Sequence, residues 1–187
     1  MPRYDTAMPA TEHERFMRIA LEEARAARAE GNLAVGGVIV RDGHVLQRGH
    51  NEAVSTFDVT AHAETVALRR LSTRLRVVNP SYRAGEGPLA DCVLYTTVEP
   101  CAMCCFAICI SGIAKIVIGA RYARMGLRFG DYGIEKLLAL LDQPVTIVDG
   151  ILYDECAALR LEGAAVPGLR SARAEPGDGA PLANVEP

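Results

Sequence analysis

Four side chains in this sequence have types and spacings that could do chemistry together. His62 and Glu64 lie two residues apart in Thr60-Ala61-His62-Ala63-Glu64. Cys101 and Cys104 lie three apart in Pro100-Cys101-Ala102-Met103-Cys104. Each pair stands at the start of a segment that reads as a helix. Residues three apart on a helix share a face, so both sulfurs point one way. Helix N-termini favour negative charge, and thiolate is the form that binds zinc. His62 can add an imidazole as a third ligand. Three protein ligands leave one tetrahedral position for water, which distinguishes catalytic from structural zinc. Zinc brings the pKa of such a water to about 7. Hydrolysis of a C–NH2 bond still needs protons moved from water to the ring nitrogen and to departing ammonia. A carboxylate beside the metal, but not on it, can carry them, and Glu64 stands where that is needed.

Taken singly, each feature has a plainer explanation. A histidine at a helix start is usually capped or packed, and a first-turn Glu usually just complements the helix dipole. A lone CxxC can be redox-active or half of a four-ligand structural site. Read together and in this order, H-x-E before a strand and P-C-x-x-C opening the next helix form the signature of zinc-dependent base deaminases.

The surrounding elements can be read from periodicity and breakers. The chain has 187 residues, half of them hydrophobic, with a net charge of −3. That suits one well-buried domain, expected over residues 1–166. No apolar run is long enough for a bilayer span, and no signal peptide is apparent, so a cytoplasmic location is expected. The near-neutral charge gives no general reason to bind nucleic acid or membrane. Thr11 to Ala29 reads as a helix with Thr11 and Glu14 as a capping box and Gly31 after its end. A strand from Gly36 turns at Asp42-Gly43 and returns to Gly49. Helices over Ala61–Leu75, Pro100–Ser111, Tyr132–Leu141 and Asp154–Leu161 alternate with strands at Asp91–Val98, "KIVIGA" and "VTIVDG". This order predicts an α/β fold, a three-layer α/β/α sandwich around a mixed five-stranded sheet. Residues 167–187 lack apolar area to offset ordering entropy and read as a flexible C-terminal tail. Cys92, Cys105, Cys109 and Cys156 read as small apolar packing groups. Met103 and Phe106 read as core. Phe57, Phe106, Phe129 and Tyr132 are possible stacking groups of a pocket wall, with core packing the better fit for Phe106. The arginines Arg69, Arg70, Arg74 and Arg76 read as a solvated helix face.

On "TAHAET" and "LYTTVEPCAMC", the chain resembles the cytidine deaminase-like superfamily, in its branch of nucleobase deaminases and tRNA adenosine deaminases. The likeness runs from about Thr11 to Leu161. It implies that His62, Cys101 and Cys104 hold one zinc per subunit and that Glu64 is the proton shuttle. It also implies a homodimer formed through helices near the metal. "GGVIVRDG" resembles the family's first hairpin. The "GHN" at Gly49-His50-Asn51 resembles a segment whose Asn hydrogen-bonds the base, a role balanced here against a plain turn residue. His50 itself reads as exposed.

The activity implied is hydrolytic release of ammonia from a small amino-substituted heterocycle. A free cytosine-like base leads, because "GIEKLLALLDQPVTIVDGILYDECAAL" resembles the end of fungal cytosine deaminases. There an acidic residue at the start of the last helix contacts the base, which points to Asp154 and Glu155. Those enzymes close the pocket with aromatics after that helix and this chain carries none, which opens isocytosine, an aminotriazine or creatinine. Guanine deamination is the next alternative. A tRNA adenosine deaminase follows, disfavoured by a pI of about 5.8 and by Ser111 where those enzymes carry His. The alternative outside enzymes is a structural-zinc protein with a fourth ligand, such as His50 or Cys105.

Overall fold

The computed structural model describes residues 10–79, 81, 89–127 and 129–162. Five helices and five strands alternate: α1 (Ala10–Ala29), β1 (Gly36–Arg41), β2 (His44–His50), α2 (Ala63–Val78), β3 (Val93–Val98), α3 (Ala102–Ser111), β4 (Lys115–Ala120), α4 (Ile134–Leu140), β5 (Thr146–Asp149) and α5 (Tyr153–Glu162). The strands form one mixed sheet in the order β2-β1-β3-β4-β5. β1 is antiparallel to both β2 and β3, whereas β3, β4 and β5 run parallel. A two-residue turn can only reverse a strand, while a helical crossover returns the chain in the same direction. The Asp42-Gly43 turn therefore makes β1 and β2 a hairpin, and α3 and α4 carry the chain between parallel strands.

The pleat divides the core in two. Val38, Val40, Tyr95 and Val117 pack with Phe16, Met17 and Leu21 of α1 and Cys156, Ala157 and Leu159 of α5. Ile39, Leu94, Ile116 and Ile118 pack on the other side with Leu68 and Leu71 of α2, Cys105 and Ile108 of α3, and Ile134 and Leu138 of α4. Alternate residues of each strand thus feed opposite layers, and the expected three-layer sandwich is what forms.

Local signals set several boundaries. Gly31 has φ 81°, and the Gly31 and Asn32 N–H groups bond back to Arg28 and Ala27, which is a Schellman end to α1. Asp42 and Gly43 have φ of 51° and 72°, as a type I′ turn needs. Thr11 differs from expectation. α1 already begins at Ala10, so Thr11 lies inside the first turn and does not cap it. α2 starts at Ala63, two residues later than expected, because His62 is extended (φ −77°, ψ 158°) and is the N-cap. α4 starts at Ile134, not Tyr132. The loop before it contains one 3-10 turn, Ala123–Met125. The tail expected over 167–187 lies outside the described residues.

Gly49 fixes how closely α2 approaches the sheet. A Cβ there would stand 2.7 Å from the Ala63 carbonyl oxygen and 2.7 Å from the Ala67 nitrogen. Gly49→Ala is expected to push the start of α2 outward and to cost at least ~2 kcal/mol. Chemical denaturation checks this, and an unchanged midpoint would contradict the packing described.

Candidate metal centre and active site

β3 ends at Val98, and Pro100 interrupts the strand pairing. The chain then enters α3 through Cys101, an extended N-cap residue with φ −71° and ψ 172°. His62 is the matching N-cap of α2. Two helix N-termini therefore converge, each offering a side chain from its cap position, with Cys104 one turn into α3. His62 Nδ1 is 3.5 Å from Cys101 Sγ and 3.6 Å from Cys104 Sγ. All three donor atoms lie within 4.8 Å of one another, and no other such group of His, Cys, Asp or Glu occurs among the described residues. A tetrahedral zinc with Zn–S of about 2.3 Å and Zn–N of about 2.0–2.1 Å has N···S edges of about 3.5–3.6 Å. The donors present fit that ion in kind, number and spacing.

The electrostatics suit a cation. The hydrogen bond with Cys104, and then that with His62, hold the Cys101 thiol well below its ordinary range. The same bond to Cys101, together with burial, pushes Cys104 up. His62 is raised by its contact with Cys101. Glu64, only 3 % exposed, is pushed up chiefly by burial. Its Oε1 lies 3.4 Å from Thr96 Oγ1, whose hydroxyl donates to the Val98 carbonyl at 2.9 Å. Glu64 thus sits beside the three donors without joining them.

His62, Glu64 and Cys101 line a cleft of about 430 Å³ that also includes Leu33, Val35, Asn51, Val54, Glu99, Met103, Tyr122, Phe129, Tyr132 and Arg160, while Cys104 is fully buried. Its size is that of a small-molecule site. Asn51 is buried. Its Oδ1 accepts from the Ala53 N–H at 3.1 Å, and its amide nitrogen has no partner among the described residues. Of the four aromatic residues considered from sequence, Phe129 and Tyr132 line the cleft, whereas Phe57 and Phe106 are 97 % and 50 % exposed and do not. Tyr122 meets Phe129 edge-on with centroids 4.8 Å apart. Tyr132 donates to the Pro100 carbonyl at 2.6 Å, tying this wall to the entry of α3.

Asp154 and Glu155 are elsewhere. Both are exposed on the first turn of α5, and neither lines the cleft. Glu155 is drawn to α1, 3.2 Å from Arg18. The α5 residue that reaches the cleft is Arg160, which the sequence reading passed over. Its signal was periodicity, since Arg160 follows buried Cys156 and Ala157 by four and three residues. Glu99 was also missed. Buried against the metal centre, it accepts from the Tyr122 and Ile134 N–H groups at 3.0 and 3.4 Å and pairs with Arg121 at 3.3 Å. It holds both ends of the aromatic loop.

His50 is neither exposed nor a ligand. Its Nδ1 and Nε2 meet Glu23 at 2.9 Å and Glu30 at 3.2 Å, with Glu52 at 3.7 Å. Burial works to lower its pKa, but the carboxylate hydrogen bonds outweigh it and the net direction is up. A histidine raised on folding contributes stability fully below its unfolded pKa of about 6.5 and loses it as pH rises through the folded value. Stability is therefore expected to fall as pH climbs from about 6.5, with a flatter profile in His50→Gln. Identical pH profiles of the thermal midpoint would rule this out.

Geometry and donor set define a zinc-type deaminase, and comparison with known proteins gives the family. The chain belongs to the family of the cytidine and deoxycytidylate deaminase zinc-binding region, whose model matches residues 10–120. It is 35 % identical over 131 residues to a tRNA-specific adenosine deaminase of Aquifex aeolicus, covering 70 % of this chain and 77 % of that protein. It is 36 % identical over 148 residues to the tRNA-specific adenosine deaminase of Haemophilus influenzae, covering 77 % and 78 %. Among solved structures, a guanine deaminase from Nitrosomonas europaea superposes with a TM-score of 0.65 at 25 % identity, over 87 % of this chain and 97 % of that one. A tRNA:A34 deaminase superposes with a TM-score of 0.60 at 29 % identity, over 78 % and 98 %.

Proposed function

We propose that the chain is a hydrolytic deaminase of a small, free, amino-substituted heterocycle. One observation carries the choice of a free ring over an RNA: apart from Arg160 in the cleft itself, four arginines of the described surface are matched by the chain's own acids. Arg69 pairs with Asp58, Arg70 with Glu52, Arg48 with Glu22 and Arg121 with Glu135. A backbone of phosphates needs unpaired cations along its path, and a net charge of −3 supplies no excess.

In this reading His62, Cys101 and Cys104 hold the zinc, which when bound supplies a Lewis acid that activates water near neutral pH. Glu64 takes a proton from the attacking water, gives it to the ring nitrogen, and passes the second to the leaving amine. Water and the amine become a ring carbonyl and ammonia. The Asn51 amide addresses the ring edge, and Tyr122, Phe129 and Tyr132 form the wall against which the ring packs. The rings first considered are cytosine, isocytosine, aminotriazines and creatinine. Guanine stands beside them, because a guanine deaminase is among the structural neighbours.

The second reading, adenosine in tRNA, is supported by the relatives from Aquifex and Haemophilus. Ammonia release is to be measured with cytosine, isocytosine, an aminotriazine, creatinine, guanine and adenine, beside inosine formation in a tRNA anticodon arm. Turnover of a free ring with silent tRNA supports the first reading; inosine with silent free rings replaces it by the second. Zinc-loaded protein that does neither overturns both.

The reading includes a single deaminase domain over residues 1–166, with 167–187 as a tail outside it, and a cytoplasmic enzyme. No described helix is long and apolar enough to cross a membrane. It also includes a homodimer. Met103, Phe106 and Ile110 follow one another at i, i+3 and i+7 on the outer face of α3 and are 37 %, 50 % and 57 % exposed. Such a stripe beside the metal suits a second copy of itself. Phe106→Glu should convert a dimer to a monomer by sedimentation, and a wild type that sediments as a monomer refutes the pairing.

A further inference from the structure

Arg160 is a charge without a counter-charge. It sits in the last turn of α5, half-buried, and it lines the same cleft as Glu64, His62 and Cys101. Among the described residues it forms no ion pair and no hydrogen bond. Its neighbours on other faces behave differently. Arg28 reaches Glu162 at 2.7 Å, and Arg18 reaches Glu155 at 3.2 Å. A C-terminal-turn arginine can serve only to offset the helix dipole, but such a side chain gains by staying in water. Arg160 instead stands half-buried in a cleft whose lining also includes Leu33, Val35, Tyr122 and Phe129.

The acids of the cleft do not answer it. Glu99 is occupied by Arg121 and two backbone N–H groups. Glu64 is pushed up by burial and belongs to the proton transfers. The group that interacts with Arg160 electrostatically is Tyr122, a phenol that burial holds neutral. Burial lowers the Arg160 pKa, yet a guanidinium stays charged at any physiological pH. A charge withdrawn from water is costly unless paired.

We infer that the missing partner is carried by the substrate: the heterocycle bears an anionic oxygen group, a carboxylate or a phosphate, that Arg160 takes in its guanidinium fork. The fork matches two such oxygens at once. A cleft of about 430 Å³ has room for one ring with a compact acidic substituent. The inference rests on the deaminase reading for which end of the molecule meets Glu64. It names Arg160 as the residue that separates acidic rings from neutral ones.

The test uses rings that have already lost the amine and cannot react, so binding is read apart from turnover. Zinc-loaded protein is titrated calorimetrically with two matched pairs: uracil against uracil-5-carboxylate, and uridine against its 5′-monophosphate. In at least one pair the anionic member should bind about 10- to 100-fold tighter. Arg160→Gln should close that gap, and Arg160→Lys should keep part of it. The pair that shows the gap identifies the group as carboxylate or phosphate. Equal affinities in both pairs, a gap that survives Arg160→Gln, or equal weakening of both members overturns the inference. So does Arg160-dependent binding of an anticodon-arm RNA with no gap in either small-molecule pair. Ammonia release by the wild type is scored separately. A gap without ammonia from any acidic or neutral amino ring refutes deamination and leaves the anion site standing; ammonia without a gap does the reverse.

Discussion

Glu64→Gln is expected to lower turnover by about 10²–10⁴-fold while zinc content stays at one per chain. Gln has the shape of Glu and can keep the contact with Thr96 Oγ1 that Glu64 makes at 3.4 Å. What it cannot do is accept a proton from water and release it again. Glu64 is outside the group formed by His62, Cys101 and Cys104, so the metal donors are untouched. Thermal stability should hold, because an amide is buried without charge at a position only 3 % exposed. The measurement is steady-state turnover beside metal analysis on the same preparation. Loss of zinc along with activity would make Glu64 a ligand or a support for one. Full activity with full zinc would remove it from the mechanism.

The parts of the site that could be read from sequence are those that one short segment determines. His62 and Glu64 share the start of α2, and Cys101 and Cys104 share the start of α3. Their relative placement follows from helix geometry once the helix starts are known. The Asp42-Gly43 turn and the Gly31 helix end were legible for the same reason, since a positive φ is a local demand. Asp154 and Glu155 show where such reasoning stops. They belong to the first turn of α5 as expected, but which way that turn faces is set by Cys156 and Ala157 packing into the core. Arg18 on α1 then claims Glu155. That phase brings Arg160 to the cleft. Glu99 and Tyr122 are similar cases, because the bond between them joins the ends of β3 and β4 and has no trace in either segment alone.

Cys104→Ser should lower zinc affinity by well over the ~100-fold typical of losing a partner behind a metal ligand. Cys104 is fully buried and supplies one of three donors. A hydroxyl stays protonated where a thiol gives up its proton to the metal, so serine is a poor replacement. The metal also ties together two segments 39 residues apart in sequence, so its loss has a structural cost. Zinc at 1,000 times its Kd contributes about 4 kcal/mol to stability. Wild-type protein should therefore melt lower after chelation and recover on adding zinc. Cys104→Ser should melt at the lower temperature with or without the ion. Cys105→Ser is the control. Cys105 is equally buried but packs among Ile108, Ile116 and Ile134, so it should lose stability by about 1–2 kcal/mol and keep its zinc. Stoichiometric zinc in Cys104→Ser, or zinc loss in Cys105→Ser, would reassign the ligands. Unequal behaviour of these two adjacent cysteines is what the helix demands, since neighbours on it point about 100° apart, one to the metal and one to the core.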